Sequence, residues 1–536
     1  MLRALIGAAV ALAYGTQPAS AHGFGQRYEL PLPLYLYLAG AGAAVAVSFI
    51  LIGLFMQHAP RARGYPRLNL LAYPLGRLLA RPSLILAAKL ISIGLFFLVI
   101  VAGFVGDQNP LHNVAPTFVW IIWWVGLAYV SAFVGNLWAL INPWDILFGW
   151  AESLYRRATS GRTLSLTLPY PEALGVWPAL VLLLTFSWIE LVFPSPALPA
   201  NIAWFVLAYS AIVWTSMALF GREIWLKYGE AFSLVFGTLA RLAPMEVRTV
   251  NPLLCGSCTL DCRDEDGECI DCRECFRRAS DTEREWALRP PGLGLLRNKP
   301  VSTSMMAAVL AILSIVLFDG ILATPEWNKL ESALTALVPG LGATGEVLIR
   351  TVGLVLFWLL FLGAYLLTCA VMRVLVEPRL PTLAWARSFA FTLVPIAIAY
   401  HLAHYLVFLL IQGQYIIPLA SDPFGYGWNL LGTAGYRINI AIVNARFAWY
   451  TAAAAIVLGH IVAVCLAHVK ATHILGSSGA VLRSQAPLTA LMVAYTVVSL
   501  SILAEPIVES RPSTPGAAAP NEIQVPDDAL LPQVGT

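Results

Sequence analysis

The stretch SLILAAKLISIGLFFLVIVAGFV, from Ser83 to Val105, carries a single charged side chain in 23 residues. A helix of about 20 apolar residues crosses the roughly 30 Å hydrocarbon core of a bilayer. Every backbone polar group in that core must be paired within the protein, which a helix achieves by itself. The one charge, Lys89, lies near the start of the stretch and can extend its ammonium group to the headgroups. Ser83 to Val105 therefore predicts a membrane-spanning helix.

Nine further stretches of the chain have the same character. We therefore predict an all-α, polytopic bundle of about ten spanning helices. The expected spans are 33–56, 83–105, 116–140, 173–193, 201–221, 303–323, 351–373, 388–411, 447–468 and 487–504.

The composition agrees with this fold class and excludes others. Apolar residues make up 59% of the chain and charged residues 12%, against roughly 25% charged residues in soluble proteins. The net charge is +3 and the arginines lie in short connections, so we expect the lipid bilayer as a partner and no nucleic acid. Eight cysteines in 536 residues are too few for a disulfide-stapled secreted scaffold.

The distribution of arginine predicts how the helices are oriented. Residues 57–82 carry five arginines and no acid, whereas residues 106–115 carry no arginine or lysine. Arginine-rich connections stay in the cytoplasm, and this alternation continues along the chain. Residues 1–21 have the pattern of a signal peptide, whose cleavage would make His22 the mature N-terminus. We therefore expect both termini outside the cytoplasm.

The spans divide the chain into two bundles. We expect a first bundle of five helices in residues 22–221 and a second of five in residues 303–504. Residues 222–302 form the cytoplasmic connection, where the apolar run 231–239 is too short to span and predicts an interfacial or re-entrant helix. Residues 505–536 are rich in proline and alanine, which predicts a disordered external tail.

The connection contains a cysteine-rich loop. Thiolates two residues apart can turn onto one soft metal centre, and cytoplasmic thiols stay reduced, so we predict metal binding rather than disulfides. The final C-x2-C-x2-C resembles the start of a ferredoxin run whose fourth position is Ala279. An Fe–S cluster would need one of the earlier thiolates, and one zinc ion would need four; we favour zinc or a structural role. The predicted ligands are Cys255, Cys258, Cys262, Cys269, Cys272 and Cys275.

Ionisable residues within the spans predict a second site. Each costs about 2.5–3.5 kcal/mol at the centre of a spanning helix, so it favours a function. His401 and His404 share a helix face, His460 lies on the next span, and Asp319 and Glu190 lie about one turn inside external helix ends. This set can bind a divalent transition metal. The alternatives are that each histidine makes a helix-packing hydrogen bond, that the histidines line a polar path, or that two of them bind haem.

Motifs spread over most of the chain indicate a family. The chain resembles the bacterial polytopic membrane proteins known as fenitrothion hydrolases. The residues that carry the resemblance are His22-Gly23-Phe24-Gly25, Tyr28-Glu29-Leu30-Pro31-Leu32-Pro33, Asn109 to Thr117, Asn142-Pro143-Trp144, Gly229-Glu230-Ala231-Phe232, Phe318-Asp319-Gly320, Ala403-His404-Tyr405, Gln412-Gly413-Gln414, Gly459-His460 and Ala467-His468.

The resemblance implies an inner-membrane enzyme that hydrolyses apolar organophosphorus triesters. Such small molecules partition into lipid, and a metal-activated water would attack the phosphorus. From depth and sidedness we expect His401, His404 and His460 as metal ligands, with Asp319 or Glu190 as a ligand or general base. The cysteine loop leaves two alternatives open, a redox protein with a cytoplasmic Fe–S or zinc centre and a metal or solute transporter. A role as one subunit of a complex, with a partner subunit, is also open.

Overall fold

Among the residues that the structure describes, ten helices are long and apolar enough to span a membrane, as predicted. The computed structural model describes residues 28–56, 65–256, 258, 269–296, 300–376, 380–476, 478–505 and 508–509. The predicted signal peptide and Cys262 lie outside these residues. The spanning helices are α1 (Leu34–Phe55), α2 (Pro82–Val105), α3 (Val114–Phe133), α4 (Glu172–Leu191), α5 (Pro199–Phe220), α6 (Thr303–Leu322), α7 (Ala343–Val376), α8 (Thr382–Ser421), α9 (Ala445–Leu475) and α10 (Gly479–Ala504).

The connection between α5 and α6 defines the two ends of the bundle. We call the end that carries residues 222–302 the cysteine end and the other the acid end. Because spans alternate in direction, α4 and α6 finish at the acid end, and α9 runs from the acid end to the cysteine end. Ten spans also bring the start of α1 and the finish of α10 to the acid end.

Short strands join the two chain ends there. Strand β1 (Tyr28–Glu29) pairs in parallel with strand β6 (Val508–Glu509), with Tyr28 opposite Val508. The C-terminal segment 505–536, for which we expected no regular structure, therefore contains a short strand near its start.

The second bundle is built around α6. This helix is buried along most of its length and contacts α4, α7 and α8. Helix α9 packs against α8, α10 and α1. At Gly459 the α8–α9 contact is so close that a Cβ would lie 2.3 Å from the Cβ of Ala399. The absence of a side chain at Gly459 therefore sets the distance between these two helices.

A small sheet covers the cysteine end. Its strand order is β2-β5-β3-β4, with β2 at Leu68–Asn69, β3 at Met245–Thr249, β4 at Cys269–Ile270 and β5 at Arg284–Leu288. Strand β2 comes from the α1–α2 connection, so the sheet ties that connection to residues 222–302.

One buried carboxylate holds this sheet together. The side chain of Glu246 is 0% exposed and lies 3.0 Å from Arg289 and 2.8 Å from Arg67. Tyr65 donates a 2.9 Å hydrogen bond to the same carboxylate. Burial and the neighbouring Glu246 charge raise the pKa of Tyr65, which keeps its phenol protonated as a donor. A buried charge of this kind is tolerated because it is paired on several sides.

The apolar run of the connection forms a helix, Ala231–Leu239, which is buried on most sides. Glu230 caps it by accepting hydrogen bonds from the backbone N–H groups of Phe232 and Ser233, at 3.0 and 2.7 Å. Tyr209 and Asn142 donate to the same carboxylate, at 2.5 and 3.2 Å. This satisfied carboxylate lets the helix enter the bundle. Its burial is that of a re-entrant segment rather than of a helix lying on a bilayer surface.

Replacing Gly459 with alanine is expected to loosen the α8–α9 contact. The added methyl group would overlap Ala399 and approach the Pro395 carbonyl oxygen to 2.8 Å, so we expect a loss of about 1–3 kcal/mol of stability. The matched control is Gly363→Ala on α7, where a Cβ meets nothing within 4 Å and helix propensity alone improves stability. Thermal unfolding in detergent measures both. Equal melting temperatures for the two variants would contradict the proposed packing.

Candidate functional site

Two clusters of chemically active side chains lie at opposite ends of the bundle. At the acid end, Asp319 of α6 faces α8. His404 Nε2 lies 2.9 Å from Asp319 Oδ2, and the Tyr405 hydroxyl donates to the same oxygen at 2.5 Å. The side chain of His404 is 6% exposed and that of Asp319 is 24% exposed. The structure therefore joins two predicted residues, Asp319 and His404, and leaves the carboxylate accessible.

Glu190 brings a second carboxylate to this cluster from α4. It lies close enough to Asp319 for the two groups to interact electrostatically, and the Trp124 side chain is within hydrogen-bonding reach of it. Glu190 is half-buried. Both predicted acids thus reach the same region from different helices.

His401 lies one turn from His404 and packs against two aromatic rings. Its ring centroid is 4.8 Å from that of Tyr405 and 5.2 Å from that of Tyr129. The Tyr129 hydroxyl donates to the backbone oxygen of His401 at 3.1 Å. Neither ring nitrogen of His401 has a hydrogen-bond partner among the described residues. Position along the helix could not predict this aromatic setting.

The structure places His460 apart from that set. Its Nδ1 lies 2.8 Å from the Ile456 backbone oxygen, and its ring faces Tyr495 with centroids 5.6 Å apart. A metal site needs several ligand atoms close together. Among the described residues, two groups of three ligand residues have their ligand atoms within 4.8 Å of one another, and both groups consist of cysteines. The expected ligand set of His401, His404 and His460 with Asp319 or Glu190 is therefore not assembled. Depth alone could not reveal this, because ligation also depends on how each helix is rotated about its axis.

Irregular backbone occurs within α3 and α8, the second of which carries His404 and Tyr405 of the acid cluster (Asp319, Glu190, His404 and Tyr405). Helix α3 contains a π-helical segment, Thr117–Gly126, which contacts α8. Helix α8 contains two 3-10 segments, Ala390–Leu393 and Gly413–Tyr415. Such departures from α geometry within helices are frequent at functional sites. The prolines at 116 and 395 were the only sequence signal for them.

At the cysteine end, five of the six predicted thiols come together. Cys255, Cys269 and Cys275 form one group with sulfur atoms within 4.8 Å of one another, and Cys258, Cys272 and Cys275 form another. The Cys258 and Cys272 sulfurs are 3.6 Å apart. Sulfur atoms around a tetrahedral zinc ion are about 3.8 Å apart, given Zn–S bonds near 2.3 Å. These thiols can therefore hold a metal ion, with Cys275 common to both groups.

Ion pairs fix the thiols to the first bundle. The short helix Arg273–Arg278 carries Cys275, and its Arg273 and Arg277 pair with Asp145 and Glu223. Strand β4, which contains Cys269, pairs with β3. Sequence analysis did not identify Asp145 or Glu223, because nothing in their local sequence indicates a partner more than 50 residues away.

Comparison with known proteins found no matching family model, no matching curated protein and no matching solved structure. The function must therefore be argued from the two clusters themselves. The acid cluster has proton-transfer groups with access from outside, and the cysteine cluster has the donors of a soft metal centre.

Replacing Cys275 with serine is expected to remove the bound metal. Its sulfur belongs to both thiol groups, and a hydroxyl is a poor ligand for a soft metal ion. Elemental analysis of purified protein measures the metal content per chain. The matched control is Cys369→Ser, because Cys369 is buried in α7 away from both groups. Unchanged metal content in Cys275→Ser, or equal losses in both variants, would contradict the assignment.

Proposed function

We propose that this protein is a membrane-embedded hydrolase of apolar esters, with organophosphorus triesters as the substrate class, and that Asp319 is its general base. The observation that supports this is the hydrogen-bonded Asp319 carboxylate, held by His404 and Tyr405 and still 24% exposed. A carboxylate held in place by two side chains and accessible to water is suited to remove a proton from an attacking water molecule.

The proposed reaction is a single displacement at phosphorus. As the water oxygen bonds to phosphorus, its proton passes to Asp319, and the bond from phosphorus to the aryloxide oxygen breaks. A nitrophenolate is a stable leaving group and needs no acid. His404 and Tyr405 would hold the carboxylate in position, and Glu190 would place a second carboxyl group beside it. This scheme needs no metal at the acid cluster, in agreement with the separation of His460 from it.

The position of the cluster suits an apolar substrate. Asp319 lies three residues before the last residue of α6, and Glu190 lies one residue before the last residue of α4. A lipid-soluble ester could therefore approach from the bilayer while water enters from the acid end. In this proposal the acid end, with both chain termini, faces outward from a bacterial inner membrane, and the arginine-rich cysteine end faces the cytoplasm.

For the cysteine centre we propose a zinc ion with a structural role. The thiol-bearing segments pair with Asp145 of the first bundle and with Glu223 of the connection itself, so one bound ion would order the connection. Elemental analysis distinguishes this from the redox alternative, because iron with a visible brown chromophore would favour an Fe–S centre.

Replacing Asp319 with asparagine is expected to abolish most hydrolysis. Asparagine keeps the shape but cannot take up the proton of water, so we expect the rate to fall about 100-fold or more. Release of nitrophenol from fenitrothion by the purified, reconstituted protein measures this rate. Asp107→Asn is the matched control, because Asp107 lies in the α2–α3 connection and pairs with His112. Wild-type protein without activity, or full activity in Asp319→Asn, would refute the proposal.

A further inference from the structure

Buried polar atoms without a protein partner extend from the acid cluster toward the cysteine end. Within the part of the chain that the structure describes, the Tyr400 hydroxyl and His460 Nε2 lack a hydrogen-bond partner, and the hydroxyls of Tyr495 and Ser499 have no side-chain partner beyond each other. Tyr400, Ser499 and His460 are at most 1% exposed. Buried polar groups are almost always hydrogen bonded, often to internal water. Unpartnered groups within one helix bundle therefore indicate a hydrated interior.

Tyr400 brings this set of polar groups next to Asp319. The Tyr400 ring stacks on His404 with centroids 5.9 Å apart. The Tyr400 hydroxyl lies beside the residue that follows Asp319, since a Cβ at Gly320 would be 2.3 Å from it. Tyr400 thus lies directly inward of the acid cluster, at the contact between α6 and α8.

The line of polar groups continues onto α10 and α9. Tyr400 and Tyr495 lie close enough to interact electrostatically. The Tyr495 ring is 5.6 Å from His460 on α9, and Ser499 is one turn from Tyr495 on α10. His460 lies fifteen residues after the start of α9, which is about 22 Å at 1.5 Å per residue. The line therefore reaches well into the bundle.

Further buried polar side chains extend from that point to the cysteine end. His468 lies two turns beyond His460 on the same side of α9 and is 3% exposed; its Nδ1 has no hydrogen-bond partner among the described residues. Helix α10, which packs on α9, adds Thr489, Gln485 and Ser484, all at most 7% exposed. The other ring nitrogen of His468, Nε2, lies 3.1 Å from the Met56 backbone oxygen, just after α1. Buried polar residues therefore occur along both α9 and α10 toward the cysteine end.

We propose that these side chains and intervening water form a proton-conducting path from Asp319 to the cysteine end. Imidazole and hydroxyl groups each accept a proton on one side and release one on the other, as in the proton relays of membrane pumps. The net transfer is one proton across the bilayer, and its charge is balanced by a counter-ion that moves separately. This path is an activity beyond ester hydrolysis and stands whether or not Asp319 hydrolyses esters.

Proton flux into proteoliposomes tests the path. Full-length protein is reconstituted into phosphatidylcholine–phosphatidylglycerol vesicles that contain the pH-sensitive dye pyranine, with potassium and valinomycin to balance charge. After an acid pulse outside, we expect the interior to acidify faster than in vesicles without protein. Tyr495→Phe removes one buried hydroxyl of the path and keeps the ring, and His460→Leu removes the imidazole. Each is expected to lower the protein-dependent flux by about tenfold or more.

Two control variants separate the path from general effects of substitution. Tyr450→Phe changes an exposed tyrosine of α9, and His112→Leu changes an exposed histidine of the α2–α3 connection. Both are expected to keep the wild-type flux. Wild-type flux no faster than that of empty vesicles would overturn the proposal. So would undiminished flux in Tyr495→Phe, a variant whose fold is expected to be unaffected because phenylalanine keeps the ring contacts with Phe361 and His460.

Discussion

A bilayer core offers no hydrogen bonds, and this constraint explains most of the structure. Ten helices satisfy their own backbone and face lipid with apolar side chains. Where a polar side chain enters the bundle, a specific partner compensates for the lost water. Glu230 shows this in its simplest form: its carboxylate is 1% exposed and accepts hydrogen bonds from Asn142 and Tyr209 of the first bundle and from the backbone N–H of Ser233 in the connection. Such fully paired carboxylates act as structural supports.

Asp319 differs from Glu230 and Glu246 in its accessibility. The two structural carboxylates are sealed from solvent and surrounded by donors, whereas Asp319 keeps about a quarter of its side-chain surface open, 24%. Inward of it lie Tyr400 and His460, whose free polar atoms have no protein partner. Burial of unpaired polar groups costs free energy, and the proton path that we propose would give these groups water as a partner.

The two clusters are separated by the length of the bundle and use different chemistry. The cysteine cluster is an ordered module, because β4 and the ion pairs of Arg273 and Arg277 hold its segments against the first bundle. The acid cluster is formed by α4, α6 and α8, and so depends on how the two bundles pack together. A change in the α4–α6 contact would therefore move Glu190 relative to Asp319. The contacts within the cysteine module would stay the same.

The sequence by itself determined the ten apolar helices and the thiol cluster. These features are local: span length depends on consecutive apolar residues, and the cysteines that converge on Cys275 are close along the chain. Only the tertiary structure decided which side chains meet. His404 reaches Asp319 while His460 faces Tyr495, because helices that are apolar on nearly every side carry no signal of their rotation. That rotation depends on close contacts such as Gly459 against Ala399, which form between segments distant in sequence.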